Sequence, residues 1–367
     1  MKLSFLGCFF LGSLMNLFVI RFWELTLLAP FLFTAHFLIL FLYFKSTIFV
    51  DSASKYTYFI ILYFIIQSYI IDSTILSLLQ SILLPILYFL FIMLISSFRS
   101  VSLTVLNKFI VFLLFLTPFF IISFDTGGHG RLYGLFRNAN LTSYTSVLLL
   151  PIILLHPKNT IKFLGWFIIL VILFFMQSRG PALAIVLGFL VYLFVKKKIA
   201  RLSFLHYLII LSIVILVSSN IVYLFDTYTP TTFADYENDY HLLNGGYNGR
   251  DILWDIFLNR WKRSPFFGVG FENDKVFLYG KDYGVHNSYI DILMKTGIIG
   301  STIVLLFFMK ILKNIVNTKN KIFLPSIICS LAIVLSLSTN TSLIFVFNYF
   351  FFYFLFIYSL INLKIVQ

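Results

Sequence analysis

The sequence predicts an all-α integral membrane protein, and three observations predict it. Of 367 residues, 60% are hydrophobic and only 11% charged, with a mean hydropathy of +0.98, whereas a soluble domain carries roughly a quarter charged residues. Apolar windows long enough to cross about 30 Å of hydrocarbon recur along almost the whole chain. The windows are uniformly apolar and do not alternate, which excludes barrel strands and leaves helices, whose backbone groups are satisfied within the segment. An ordinary soluble enzyme is excluded. The formal charge of +13 does not argue for nucleic acid, because the basic residues are scattered in twos and fours between apolar runs.

About twelve windows fit, near 3–20, 25–44, 56–71, 74–95, 105–124, 141–155, 161–176, 180–195, 204–225, 293–312, 322–339 and 342–363. The first follows a single Lys, lacks a small-residue cleavage site and is followed by more spans, so it reads as a retained helix and not as a cleaved signal. The third and fourth are separated only by Asp72 and Ser73. Cys8 and Cys329 lie inside apolar stretches with no CxxC or His-rich partner, so free thiols are expected, with no disulfide and no zinc.

Orientation follows from the basic residues, since short cytoplasmic loops collect Lys and Arg. With the N-terminus inside, Lys2, Lys45, Lys55, Arg99, Lys108, Lys158, Lys162, Lys196, Lys197, Lys198, Arg201, Lys310, Lys313, Lys319, Lys321 and Lys364 fall on the cytoplasmic side. The short outer loops then hold only Arg21, Arg131, Arg137 and Arg179. The asymmetry supports an even number of spans with both termini cytoplasmic. It divides one functional domain into a bundle over 1–225, an outer loop over 226–286 and a second bundle over 287–367.

That loop is where the composition changes, since it holds nine of the fourteen acidic residues: Asp226, Asp235, Glu237, Asp239, Asp251, Asp255, Glu272, Asp274 and Asp282. Gly245, Gly246 and Gly249 mark turns. From Arg250 to Trp261, the apolar residues Ile252, Leu253, Ile256, Phe257 and Trp261 recur at helical spacing until Pro265 stops them. A short amphipathic helix is predicted there, either lying on the outer membrane face or packed on the bundle.

The informative residues are the outward cations, because a charge near the membrane must be stabilised by something. Arg131 and Arg137 bracket a Gly/Asn-rich loop that ends at Asn140, Arg179 sits in Gln177-Ser178-Arg179-Gly180-Pro181, and Arg250 opens the amphipathic helix. At Arg179 the geometry suits an anion: Pro181 fits a first helical turn, Ser178 is a candidate cap, and the free N–H groups of the helix start point outward. Each Arg also has a plain explanation, in snorkelling to lipid phosphates or pairing with an acid such as Asp125.

From Arg250 onward the order is Gly249-Arg250-Asp251-Ile252-Leu253-Trp254, then Ser264-Pro265-Phe266-Phe267-Gly268-Val269-Gly270, then His286-Asn287-Ser288-Tyr289, then Thr296-Gly297-Ile298-Ile299-Gly300. This succession resembles the O-antigen ligase and polymerase superfamily. Arg131 to Asn140 and Ser178-Arg179-Gly180 look like its upstream motifs, so the resemblance covers roughly 131–312, while the first 120 residues match in hydropathy alone.

The resemblance implies a multi-pass glycosyltransferase of the bacterial cytoplasmic membrane. It would use glycans carried on undecaprenyl pyrophosphate at the outer face, by inverting chemistry, without metal or other cofactor. A flippase and a chain-length regulator are the partners such an enzyme implies, besides membrane lipids. The acid cluster at Asp235, Glu237 and Asp239 lacks the regular spacing of a calcium loop. Two tasks then need residues: stabilising the diphosphate leaving group and taking a proton from an acceptor hydroxyl. Guanidinium stays charged and binds phosphate oxygens in a two-pronged fashion, so Arg179 and Arg250 are assigned to the pyrophosphate, with Arg137 and Arg131 secondary. His286, just before a predicted helix whose dipole favours neutral imidazole, is assigned as base or acceptor-orienting group; Asp251 or Glu272 is the alternative base. Asn140 and Asn287 join the candidate substrate contacts, and Trp254, with Tyr240, Tyr247 and Tyr283, offers faces for sugar stacking, although interfacial belts explain such aromatics equally well.

The superfamily holds two activities. A polymerase moves a growing chain onto the next lipid-linked repeat unit, and a ligase moves the finished chain onto a lipid A core or a protein. The reading favours a polymerase making O-antigen or capsular polysaccharide. The rival from another class is a polysaccharide flippase, which predicts ionisable residues buried midway along spans; here His36, His206 and Lys108 come nearest to that pattern.

Overall fold

The structure is a computed structural model and describes residues 55–71, 100–121, 139–198, 202–228, 250–271, 275–278, 281–318, 321–339 and 364–366, with isolated positions elsewhere. The helices are α1 (Lys55–Ile70), α2 (Leu103–Leu116, continued by a 3-10 turn over Thr117–Ile121), α3 (Ala139–Ile153), α4 (Asn159–Met176), α5 (Arg179–Lys198), α6 (Phe204–Tyr228), α7 (Arg250–Trp261), α8 (Ser288–Val316) and α9 (Leu324–Ser338). The architecture is all-α, and extended pairing among the described residues is confined to two short two-stranded pieces. In one, β1 (Ser100–Ser102) pairs in parallel with β4 (Lys364–Val366); in the other, β2 (Lys275–Leu278) and β3 (Lys281–Gly284) form an antiparallel hairpin with Lys275 opposite Gly284.

Among the described residues, four helical segments are long and apolar enough to cross a membrane: Leu103–Ile121, Asn159–Met176, Arg179–Lys197 and Ser288–Val316. The apolar stretches Tyr56–Ile70, Ala139–Ile153, Phe204–Asn220 and Leu324–Ser338 are helical but shorter. These match the windows near 56–71, 105–124, 141–155, 161–176, 180–195, 204–225, 293–312 and 322–339. The windows near 3–20, 25–44, 74–95 and 342–363 lie largely outside the described residues, as does 229–249 of the expected outer loop.

Helix α9 is the buried centre, with Ile327, Ile328, Cys329, Ala332, Ile333, Val334 and Leu337 all inaccessible. Helix α5 lies close against it because Gly188, lacking a Cβ, faces the Ile333 side chain. One turn further along α5, Tyr192 faces Cys329, so α5 and α9 run antiparallel. Short links make α3–α4, α4–α5, α5–α6 and α8–α9 antiparallel neighbours, and Ser218 of α6 donates to Ser336 of α9 at 2.7 Å.

Two unlike ends result. One gathers the starts of α3, α5 and α8 with the ends of α4, α6 and α9. The other gathers Lys158 and Lys162 at the start of α4, Lys196 and Lys197 at the end of α5, and Lys313 and Lys321 around the α8–α9 turn. The candidate residues Asn140, Arg179, His286 and Asn287 therefore share the end away from these lysines.

Candidate functional site

At the first corner of this end the chain reverses within two residues. Helix α4 stops at Met176 because Gln177 takes a left-handed conformation (φ 48°, ψ 41°), its N–H bonding Phe174 O at 3.3 Å. Ser178 follows, buried, and Arg179 opens α5 with its side chain exposed. The Ser178 hydroxyl donates to Asn140 Oδ1 at 2.8 Å, which ties the start of α5 to the first turn of α3. The preceding loop is drawn in as well. Leu132 N–H bonds Phe175 O at 3.2 Å, and Gly134 (φ 70°) sits so close to Thr142 and the Phe120 carbonyl that a Cβ would lie 2.6–2.7 Å from them. Arg131 and Arg137 of this loop lie outside the described residues.

The second corner is built on a broken helix. Gly297 (φ 61°, ψ −171°) interrupts α8 into halves 288–296 and 298–316, and a break inside a membrane protein must find partners for the backbone groups it frees. The turn after α7 supplies them. Val269 N–H bonds Met294 O (2.9 Å) and Gly270 N–H bonds Lys295 O (3.1 Å), while the N–H groups of Ile298 and Ile299 bond the carbonyls of Pro265 (2.9 Å) and Phe266 (3.2 Å). From α1, Tyr63 donates to the carbonyls of Thr296 and Phe267, and Gln67 to those of Lys295 (2.5 Å) and Phe267. The P-x-x-G-x-G and G-x-x-G motifs are thus two sides of one seam. Only glycine fits its middle, since a Cβ on Gly268 would lie 2.5 Å from Gly297 N and 2.6 Å from Lys295 O.

Above the seam the hairpin and α7 close over the half-helix 288–296. Leu253 and Phe257 of α7 pack with Val276, Val285 and Met294, so the helix predicted from Arg250 to Trp261 forms and one of its faces packs on protein. Trp254 Nε1 donates to Val285 O at 3.0 Å, next to His286. Asn287 caps α8, its Oδ1 accepting from the N–H groups of Tyr289 (2.9 Å) and Ile290 (3.3 Å) while Nδ2 donates to Thr339 O (3.5 Å) at the end of α9. His286 is exposed and left-handed (φ 51°), a conformation uncommon outside glycine. Arg250 and Asp251 form the first turn of α7, one turn before Trp254. Glu272 lies outside the described residues.

Besides Tyr63, Gln67 and the hairpin, two features of this end had not been singled out from the sequence. One is a buried ion pair on the half-helix, Asp291 with Lys295, at 3.0 and 3.2 Å; its signal was an i,i+4 acid and base inside an otherwise apolar run. The other is a cavity of about 400 Å³ between α6, α8 and α9, lined by Leu208, Ile215, Tyr289, Leu293, Phe308 and Leu335 among others. It lies in the elbow of the broken helix, with both halves of α8 contributing walls.

Residues 164–305 match the family model described as O-antigen ligase. That segment is similar to the O-antigen ligase family. The match supports the O-antigen ligase and polymerase superfamily expected from the motifs, and it implies glycan processing of the ligase or polymerase type on lipid-linked glycans. No curated protein sequence matches the chain. The matched segment contains Arg179, Arg250, Asp251, Trp254, His286, Asn287 and both glycine motifs of the seam, whereas Arg131, Arg137 and Asn140 precede it. The structure joins Asn140 to Ser178 beside Arg179, and Trp254 to the backbone beside His286 and Asn287. The two corners share one end of the bundle through the antiparallel packing of α5 on α9.

Proposed function

We propose that this protein polymerises oligosaccharide repeat units carried on undecaprenyl pyrophosphate, forming O-antigen or capsular polysaccharide at the outer face of the bacterial cytoplasmic membrane. The observation that carries the reading is that Arg179 and the His286–Asn287 edge lie within the segment 164–305 that matches the O-antigen ligase model and share the end of the bundle away from Lys158, Lys162, Lys196, Lys197, Lys313 and Lys321. Lysine-rich ends face the cytoplasm by the positive-inside rule, so the candidate site faces out and both termini face in. Half 298–316 of α8 is about 28 Å long, enough to cross the hydrocarbon. The half-helix 288–296, α7 and the hairpin then belong to an outer catalytic segment within 226–286 and its junction, between the two bundles of one functional domain.

In this reading the guanidinium of Arg179, at a helix start whose dipole favours anions, binds the pyrophosphate of the donor, with Arg250 the second cation and Asn140 a neighbouring contact. Charge grows on the leaving diphosphate as the glycosidic bond breaks, and fixed cations stabilise that state more than the ground state. His286 takes the proton of the acceptor hydroxyl or orients it, Asp251 or Glu272 being the other candidate base. Proton transfer to a positioned group typically contributes a factor of about 10²–10⁴. The apolar elbow cavity supports a substrate with a hydrocarbon tail. The description of the matched family favours a second reading, transfer of a finished chain by a ligase.

Deleting the gene in its host and complementing it with parental, Arg179→Ala and His286→Ala chains separates these readings. Single repeat units at the surface with no ladder mean a polymerase, and full-length polymer left on the carrier means a ligase. Repeat units trapped on the cytoplasmic side mean a flippase and refute both.

A further inference from the structure

We infer that the buried Asp291–Lys295 pair is a positioning element for the transfer reaction, fixing the edge of α8 that presents His286 and Asn287. The inference rests on the glycosyl-transfer reading above. The half-helix 288–296 that carries the edge has nine residues, too few to hold a helix in place unaided, so its position depends on its pins. Its lower end has many: the carbonyls of Met294, Lys295 and Thr296 are bonded to the 264–271 turn and to α1. Its upper end has fewer: the Asn287 cap, whose bond to Thr339 O is long at 3.5 Å, and the Tyr289 hydroxyl, which donates to Leu335 O of α9 at 3.0 Å.

The ion pair links the two ends. Lys295 Nζ lies 3.0 Å from Asp291 Oδ1 and 5.4 Å from the centre of the Phe271 ring. Phe271 meets Phe64 of α1 edge to face at 5.2 Å. A continuous path therefore runs from α1 through Phe64, Phe271 and Lys295 to Asp291, which sits in the first turn directly below Asn287. Both charges also suit the helix ends they occupy, the acid near the N-terminus and the cation near the break. Asp291 is 2% and Lys295 5% exposed. A buried pair of this kind is not required for stability, since apolar residues of similar volume often replace one without loss, while removing one partner strands a buried charge. A positional role predicts that the apolar replacement folds and still fails at the edge.

The test uses the full chain in membranes with three variants: Lys295→Arg, Lys295→Met and the double replacement Asp291→Leu/Lys295→Met. Turnover is read as kcat and KM separately. In a Cys8→Ser background, His286→Cys additionally reports the edge through the rate at which a membrane-impermeant thiol reagent labels the introduced thiol. The expected result is that the double variant accumulates and melts like the parent, loses about tenfold or more in kcat with KM within about twofold, and changes that labelling rate at least about threefold, while Lys295→Arg keeps parental behaviour in all three. If Lys295→Met alone fails to accumulate, the double variant still decides. Parental turnover and parental labelling in the double variant would overturn the inference and leave the pair as packing. A parental chain that transfers no glycan would refute the reaction on which the inference rests; a changed labelling rate would still support the positioning of the edge, and an unchanged one would overturn it.

Discussion

Replacing Gly297 by alanine tests the broken helix on which the site is built. A methyl group there would meet the Phe266 carbonyl and lie 2.5 Å from Gly268 N. Both are backbone, so no side chain can swing aside. The position itself, φ 61° with ψ −171°, belongs to a region essentially reserved for glycine, and holding alanine in it costs about 1–3 kcal/mol. Relieving the contact moves the turn away and weakens the two nearest bonds, Ile298 N–H to Pro265 O and Ile299 N–H to Phe266 O, at about 1 kcal/mol each. The sum is about 3–5 kcal/mol. Gly268→Ala acts on the other side of the same seam and should fall in the same class. Gly284→Ala is the control, since no atom lies within 4 Å of the added carbon, and it should be neutral within about 0.5 kcal/mol. Detergent-solubilised protein heated in steps and followed by the monodisperse peak on size exclusion ranks the three. Gly297→Ala surviving to the temperature of Gly284→Ala would refute the seam.

Asn287→Ala removes the cap of α8, costing about 1 kcal/mol in the same heating series, and it should lower turnover further than the stability loss explains because the cap adjoins His286. Trp254→Phe removes one bond to Val285 O, a loss of about 1 kcal/mol that the same series detects. Arg179→Ala should reduce transfer about a hundredfold with normal accumulation, and Arg179→Lys should recover only part of it, because a point charge does not reproduce the fork; a glycan ladder on a gel measures both. His156, at the lysine end, is held below its ordinary pKa of 6.5 by burial first and by the cations Lys158 and Lys162. Its folded pKa is lower than its unfolded one, so the unfolded chain takes the proton first as pH falls. Stability should therefore drop on the acid side of pH 6.5, and His156→Gln should flatten that drop in heating runs across pH.

The helices were legible because a run of apolar residues reports hydrocarbon thickness directly. The start of α8 was less so: the window near 293–312 begins later than Ser288, since Asn287, Asp291 and Lys295 depress the local hydropathy. An Asn cap with an acid in the first turn was nevertheless a start signal in the sequence. The Pro265–Gly270 and Thr296–Gly300 motifs were visible singly, but their interlock was not, because hydrogen bonds between distant segments leave no periodicity. Tyr63 and Gln67 of α1 were invisible for the same reason, lying more than two hundred residues from most of the carbonyls they serve. The 275–284 hairpin escaped because two four-residue strands are shorter than any window that reveals alternation. Of the site, Arg179, Asn140, Trp254, His286 and Asn287 were each named from sequence, and their pairing through Ser178 and Val285 came from the structure.

Purified protein reconstituted with a polyprenyl-pyrophosphate-linked repeat unit, in the presence of a chelator, tests the central claim most directly. The account predicts a ladder of oligomers with release of polyprenyl pyrophosphate, and loss of both with Arg179→Ala and with His286→Ala. A parental preparation that forms no glycosidic bond, or variants that build the ladder at the parental rate, would contradict it.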